Sequence, residues 1–534
     1  LSLWPPTQST RLKLIEKMAK NLVTPSIWSR KYGLLSQIEA EAEAKQIESD
    51  SFAAATQHFD KEPDSDGSSA VEFYAKESSK RMIEVIKRGP LFRAEEEQQE
   101  EVASLQKKVK QNDGITFDIS GDPRKEIDAN EAEILLKPLK DPGNRYRRIR
   151  FSNTSFGRDA ALVAKLILSS IKDQLTDVDL SDIVAGRQEE EAIEVMNIFS
   201  STLQGSNLRL LDLSDNALGG KGVDAFGDLL RSQHSIEELY LNNGGISEDA
   251  AEALFVSVPS TEKLKVLQLH NNMVGDEGAA AIAHMVSNSP SLENLRCSST
   301  RIASDGGLAL VKSLGTTCPR LKKLDLRDNI FGVDVALALS RALSAFSELS
   351  ELYLGYVNLE DEGAAAVADA LTGSAPSLRV LDLAGNEITA KAAPALASCI
   401  SSKRLLSEIN LSENELKDEG AISIAKALEE GRRELSELDM SCNGIRRAGA
   451  RRLAQVFVGK PEFSSLNING NFISDEGIDE IKELFKNRPA VLGPLDENDP
   501  DGEDYDDDER NEADSDDGRE LEAKLKGLDI KQGE

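Results

Sequence analysis

The chain has 534 residues, with 63 Lys and Arg against 94 Asp and Glu, a net charge of −31 and only 5% aromatic residues. That length exceeds what one compact core holds, so several parts are expected. The acidic balance argues against nucleic-acid binding, which needs clustered cations to neutralise phosphates. No apolar run approaches the ~18 residues of a membrane span, and no secretory signal opens the sequence, so a soluble intracellular protein without direct membrane insertion is expected.

Residues 1–110 read as a small helical domain. It opens with Trp4-Pro5-Pro6, and Leu12, Ile15, Ala19 and Leu22 then form a helical stripe, followed by Trp28. Two further helical stretches, QIEAEAEAKQIESDSFAAATQHF and VEFYAKESSKRMIEVIKR, are separated by a turn-rich segment at Asp60. Trp4 and Trp28 have two readings: core residues of a helical bundle, or part of a docking surface, since tryptophan is enriched at binding hot spots.

Residues 111–147 are expected to be a linker and an amino-terminal cap, carried by ITFDIS and ANEAEILLKPL between Ile115 and Leu139, which would cover an otherwise exposed first repeat. From 148 to 492 the phrase Leu-x-Leu-x-x-Asn-x-Leu returns about every 28 or 29 residues, as LDLSDNAL at Leu211, LQLHNNMV at Leu267, LDLRDNIF at Leu324, LDLAGNEI at Leu381 and LDMSCNGI at Leu438. Such a period predicts an α/β fold, a leucine-rich-repeat solenoid in a horseshoe with parallel inner strands and outer helices. The alternating leucines face the core, and the residue between them faces the concave side. The Asn ends each strand, where its amide can satisfy backbone groups of the turn. This ladder position falls at Thr154, Ile183, Asn216, Gly244, Asn272, Thr300, Asn329, Val357, Asn386, Asn414, Asn443 and Asn471. The step from Ile183 to Asn216 is 33 residues, which implies extra loop. Residues 493–534 read as an acidic, disordered tail, with fifteen acidic residues against two arginines between Asp496 and Glu520, which either only solvates the chain or serves as an electrostatic lure for a basic partner.

Other constellations lack chemistry. Cys297, Cys318, Cys399 and Cys442 have no metal spacing and read as reduced structural thiols. The histidines at His58, His234, His270 and His284 form no metal pair, although His270 could face the concave surface. GGKG at Gly219 does not have the spacing of a phosphate-binding loop. No Ser-His-Asp set can be assembled from spacing, so an intrinsic hydrolase is disfavoured.

The WPPTQSTR opening, the VDLSDIVAGR phrase ending at Arg187, LRLLDLSDNALG, ELYLNNGGIS and the acidic end, in that order, resemble the plant Ran GTPase-activating proteins. The resemblance implies a ribonuclease-inhibitor-like repeat array that accelerates GTP hydrolysis on the small GTPase Ran. By the same resemblance it works without an arginine finger, using an asparagine that helps hold Ran's own catalytic glutamine. GTP and its Mg belong to the partner, so no cofactor and no metal site are expected in this chain.

Residue by residue, the phrase Leu-Tyr-Leu-x-Asn falls on Leu239, Tyr240, Leu241, Asn242 and Asn243, which makes Asn243 the catalytic match. The ladder slot of that unit is Gly244, so Asn243 is displaced from the structural position and should sit at the rim where strand becomes loop. Arg187 is the second carry-over, implied to contribute to binding and activity and expected to project from a loop on the same rim. The other reading pairs it with Glu189 to Glu191. Asp215, Asn216, Asn242 and Arg301 are further candidates for contact with the partner, although Asn216 also occupies a ladder slot. For Trp4, Pro5 and Pro6 the resemblance implies a WPP domain that binds coiled-coil adaptors. These would place the chain in the cytoplasm, at the cytoplasmic face of the nuclear envelope and on mitotic structures such as the spindle and cell plate. The competing hypothesis is a non-catalytic scaffold that binds a protein in its concave face.

Overall fold

The computed structural model describes residues 4–24, 34–61, 66–89, 110–111, 114–121, 123–429 and 434–502. Trp28 and the acidic run beyond residue 502 lie outside the described residues. The chain divides into two compact units, Leu1–Lys108 and Val109–Glu534.

In the first unit, α1 (Gln8–Leu22), α2 (Gln37–Lys61) and α3 (Ser68–Arg88) pack with α2 in the middle. Small residues on α2, Ala40, Ala44 and Ala55, are fully buried and let the flanking helices approach. Thr7 caps α1, its hydroxyl accepting the amide of Thr10, so the chain enters the helix directly after Pro5-Pro6. Trp4 is only 4% exposed. Its ring stacks on Phe52 at 5.2 Å and lies 6.0 Å from Tyr74, so it plugs the gap between α2 and α3. Gly67, at φ 77°, leaves room for it, since a Cβ there would lie 2.6 Å from that of Trp4. Arg11 closes the same corner with two bonds to the buried Glu48, at 2.7 and 2.8 Å, and its guanidinium covers the Phe52 ring at 3.6 Å.

In the second unit, fourteen strands among the described residues form one sheet. Its first pair is antiparallel, Lys110–Gln111 with Thr116–Asp118, and every later pairing is parallel and in chain order apart from Lys125–Ile127 and Thr154–Phe156, which pair with each other as a separate small sheet. Successive repeats align without slip: Leu211 pairs with Leu239, which pairs with Leu267, and so on to Leu438 with Leu466. A parallel sheet buried on one face needs a return segment on the other side. Each repeat supplies one as a helix, for example Gly275–Val286 or Lys417–Glu429, whose Ala, Ile and Leu face the leucine stack.

The asparagines bind the stack from inside. The amide of Asn272 donates to Leu241 O at 2.9 Å and Leu269 O at 2.7 Å, while its oxygen accepts from the backbone of Gly244 and Ile246. Each such side chain thereby spans two repeats and satisfies buried backbone groups that no water reaches. Where the slot lacks Asn, the fold compensates. Thr300 donates its hydroxyl to Cys297 O at 2.8 Å, and Thr154 donates to Ile119 O at 3.2 Å.

At the carboxyl end, the ladder runs past the boundary expected at residue 492. Gly493 N donates to Leu466 O, and Asn498, only 7% exposed, accepts the backbone N–H of Asn471 at 2.9 Å. Residues 493–502 therefore close the last repeat, and the boundary expected for the tail falls inside this closing turn.

Candidate functional site

The residue immediately before each ladder slot adopts the left-handed conformation in all twelve units, from Asn153 at φ 56° to Gly470 at φ 65°. Asn, Asp and Gly tolerate this region best, and they hold most of these positions. The backbone there is pinned from the next repeat: Asn243 N donates to His270 O at 2.8 Å and Asn271 N to Ser298 O at 3.0 Å. In most units the side chain is consequently thrust outward at the edge of the sheet, as at Asn153, Asp215, Asn243, Asn271 and Asp328; Asp182 instead is buried and paired with Arg124 at 2.6 Å.

Asn243 occupies this position at φ 52° and is exposed. Its slot is a regular feature of every repeat; in this unit the ladder slot is Gly244 and carries no amide of its own, as is also true of the units with Thr154, Ile183, Thr300 and Val357. The Asn243 amide is held between neighbours exactly one repeat away on either side. Its Nδ2 donates to Asp215 Oδ1 at 2.7 Å, and its Oδ1 accepts Asn271 Nδ2 at 2.8 Å. A carboxylate can only accept, so Asp215 dictates which way the amide faces. One N–H and one oxygen lone pair of Asn243 remain free to meet a second amide from outside.

The other candidates divide. Asp215 is exposed and orients Asn243, whereas Asn216 is only 2% exposed and spends its amide on Leu180 O and Leu213 O. Asn216 is therefore corrected from a partner contact to a structural tie. Asn242 is half-buried and bridges to the next repeat, its oxygen accepting His270 N at 2.9 Å. Arg301 is exposed at φ 58° and pairs with no carboxylate among the described residues.

Arg187 does not project from the rim as expected. Its side chain is 15% exposed and folds back over the small two-stranded sheet, donating to Ser155 Oγ at 3.1 Å and Ser155 O at 2.9 Å. Its acidic neighbour is Glu126 at 3.8 Å, while Glu191 is occupied by the backbone of Arg158. The physical reason is that Ser155 and Ile127 present carbonyls to one arm of the guanidinium, which donates to them at 2.9 and 3.5 Å. Trp4 is likewise corrected: it is a core residue, while Pro5 is exposed and Pro6 half-buried.

Around this rim the concave face is a field of paired charges. Arg209 spans Asp177 and Glu238 at 2.8 and 2.6 Å, and Arg327 spans Asp325 and Asp382 at 2.8 and 3.3 Å. Asp212 pairs with no cation among the described residues, and burial pushes its carboxyl up to about 6 even though Ser214 donates to it. Burial, reinforced by Arg296, pushes His270 down and so favours its neutral ring; Nδ1 lies 2.9 Å from Ser298 Oγ. The cysteines are free thiols, three of them buried, and burial pushes Cys399 up to about 11. Among the described residues no cluster of three or more His, Cys, Asp and Glu could hold a metal, and no helix is long and apolar enough to cross a membrane. A cleft of about 730 Å³ on the helical side, lined by residues such as Phe255, Val256 and Met285, contains none of the candidate residues.

The rim position as a class and the closing Asn498 are absent from the expectations above. Both had signals: Asn, Asp, Ser or Gly one residue before nine of the twelve slots, the exceptions being Tyr356, Glu413 and Cys442, and an Asn 27 residues after Asn471.

The comparisons with known proteins follow this division of the chain. Residues 1–99 match the WPP domain, and residues 206–227, 262–283, 374–397 and 402–425 match a leucine-rich-repeat model. The chain is 60% identical to RAN GTPase-activating protein 1 of Arabidopsis thaliana over 534 residues, covering 100% of this chain and 97% of that protein. It is 55% identical to RAN GTPase-activating protein 2 of the same plant over 505 residues, 94% and 91% of the two chains. Its first unit is also similar to MFP1 attachment factor 1 of Solanum lycopersicum, at 45% identity over 86 residues, 16% of this chain and 55% of that one. With a WPP domain, leucine-rich repeats and this identity over its whole length, the chain belongs to the plant Ran GTPase-activating protein family.

Proposed function

We propose that the chain accelerates GTP hydrolysis on Ran, with Asn243 as the residue that acts at the partner's nucleotide site. The observation that carries this reading is the exposed Asn243 amide, fixed in orientation by Asp215 and by a backbone held from the next repeat. Phosphoryl transfer asks little covalent work of a protein, and catalysis there is mostly positioning and charge stabilisation. An amide with one free donor and one free acceptor suits another amide. It can hold a glutamine side chain so that the glutamine orients the attacking water. The nucleotide and Mg sit in the partner, and this chain hydrolyses nothing alone.

Arg187 then acts as a positioning residue. Its guanidinium is engaged at Ser155, so it supports the first repeats instead of reaching a phosphate. Arg187→Lys keeps the charge but loses the fork, and should rescue neither activity nor the unfolding midpoint of the array.

The first unit is proposed to bind coiled-coil adaptors and so hold the chain at the cytoplasmic face of the nuclear envelope. Contact would use exposed side chains such as Pro5 and Leu12, with Trp4 maintaining the fold beneath them.

The test is single-turnover hydrolysis of Ran-bound GTP. Adding the chain should accelerate it strongly, and Asn243→Ala should remove ~10² to 10³ of that acceleration, the usual cost of losing one oriented amide. An unchanged rate with the intact chain would leave only a scaffold that binds its partner in the concave face.

A further inference from the structure

A globular partner seated on Asn243 must bury roughly 800 Å² of this chain to bind specifically. That area spans several repeats, so the footprint has to extend along the rim in one direction or the other. The residue just after each ladder slot shows which. Toward the amino terminus it is Ala217, which offers no anchor, and Gly245 follows Gly244 within the Asn243 unit itself. Toward the carboxyl terminus it is Met273, Arg301 and Ile330, in three consecutive repeats whose strands pair in register. Beyond them the rim turns acidic, with Glu387, Glu413 and Glu415 all exposed.

Met273 is 41% exposed and Ile330 61%; a single exposed apolar side chain is ordinary, and what counts is that these two stand near each other on the same rim. At about 5 Å per parallel strand they stand about 10 Å apart, with Arg301 between them. The strip starts two residues after Asn271, whose side chain is hydrogen-bonded to Asn243. Phe472 is exposed at the same repeat position but packs against Gly502 of the closing turn, where an added Cβ would meet its ring at 2.8 Å. Tyr356, one repeat beyond Ile330, is engaged within the chain, lying over Gly385 with its hydroxyl donating to Glu413 at 2.6 Å. Met273, Arg301 and Ile330 have no comparable partner among the described residues.

We propose that Met273, Arg301 and Ile330 form the docking strip that holds the GTPase while Asn243 acts on it, and that the GTPase presents there an apolar patch bearing a carboxylate. This rests on the reading of Asn243 above and deepens it. Apolar side chains flanking an arginine are what interface centres favour, with the arginine reading the carboxylate and the apolar pair excluding water around it. The strip supplies affinity and register, and Asn243 supplies the effect on chemistry. The two should therefore separate kinetically.

The experiment uses the full chain with Ran carrying GTP, and with Ran carrying a non-hydrolysable GTP analogue. Met273→Ala combined with Ile330→Ala, and separately Arg301→Glu, should raise KM and the Kd for the analogue complex by ~10-fold or more while kcat stays within about threefold. The loss from Arg301→Glu should shrink as salt rises, because its contact is charged and near the surface. Thermal unfolding should match the unaltered chain, since all three side chains are exposed, and Glu387→Ala should leave KM unchanged. Kd values within twofold of the unaltered chain would overturn the strip even if Asn243→Ala abolished activity. Conversely, a raised Kd in the strip variants with full activity in Asn243→Ala would keep the strip and overturn the catalytic reading.

Discussion

The helical unit and the repeat rim each contain a residue that the sequence marks for partner contact, and the structure treats the two in opposite ways. Trp4 is packed between Phe52 and Tyr74, whereas Asn243 stands in solvent with half its hydrogen-bonding capacity unused. The difference lies in what each can be compared with. A repeat array carries its own controls, because Asn216 and Asn272 show what a structural asparagine does and Asn243 visibly does something else. The helical unit has one copy of everything, so burial and binding leave the same mark on its sequence.

The sharpest way to break this contrast is to truncate Trp4. Trp4→Ala should destabilise the first unit by about 3–5 kcal/mol, the usual cost of removing a buried aromatic, as read by denaturant unfolding of the full chain followed by the first unit's own transition. It should also abolish recruitment of a fluorescent fusion to the nuclear rim, whereas Pro5→Ala should keep the fold and lose only recruitment. A stable Trp4→Ala variant that still loses recruitment would place the adaptor on the tryptophan after all.

Within the array, Asn272→Ala should cost ~2–3 kcal/mol, because it leaves the backbone of Gly244 and Ile246 and the carbonyls of Leu241 and Leu269 unsatisfied. Asn271→Ala, one residue away at the rim, should change the unfolding midpoint hardly at all. Equal losses would mean that slot and rim are not distinct.

A smaller effect concerns Asp212. Folding raises its carboxyl from 3.8 to about 6, so its contribution favours the fold below pH 3.8 and is lost as pH rises through 6. Asp212→Asn should therefore stabilise the array by ~1–2 kcal/mol at pH 8 after allowing for solvent screening, and the gain should vanish below pH 4. Smallest of all, Asp215→Asn removes the carboxylate that orients Asn243 and should slow activated hydrolysis several-fold without changing stability, as measured by single-turnover rates.

Much of the solenoid was legible because its cause is local. Leu211 and its counterparts repeat every 28 or 29 residues, and the Asn that follows has only one physical job to do in a buried turn. Arg187 was not legible, since its anchors at Ser155 and Ile127 lie 32 and 60 residues away and belong to a sheet that the repeat pattern does not announce. The closing turn was hidden for a related reason: Leu492-Gly493-Pro494 breaks the strand phrase, although Asn498 still completes the ladder. For Asn243 the sequence located the residue, while the left-handed backbone and the Asp215 bond that explain its exposure emerged only from the packing of neighbouring repeats.

The most direct measurement compares Asn243→Ala with Asn271→Ala in single-turnover hydrolysis of Ran-bound GTP at saturating activator, with unfolding midpoints recorded alongside. The account predicts a ~10² to 10³ loss for the first and a change within about fivefold for the second, with both proteins as stable as the unaltered chain. Equal rates in the two variants would contradict it.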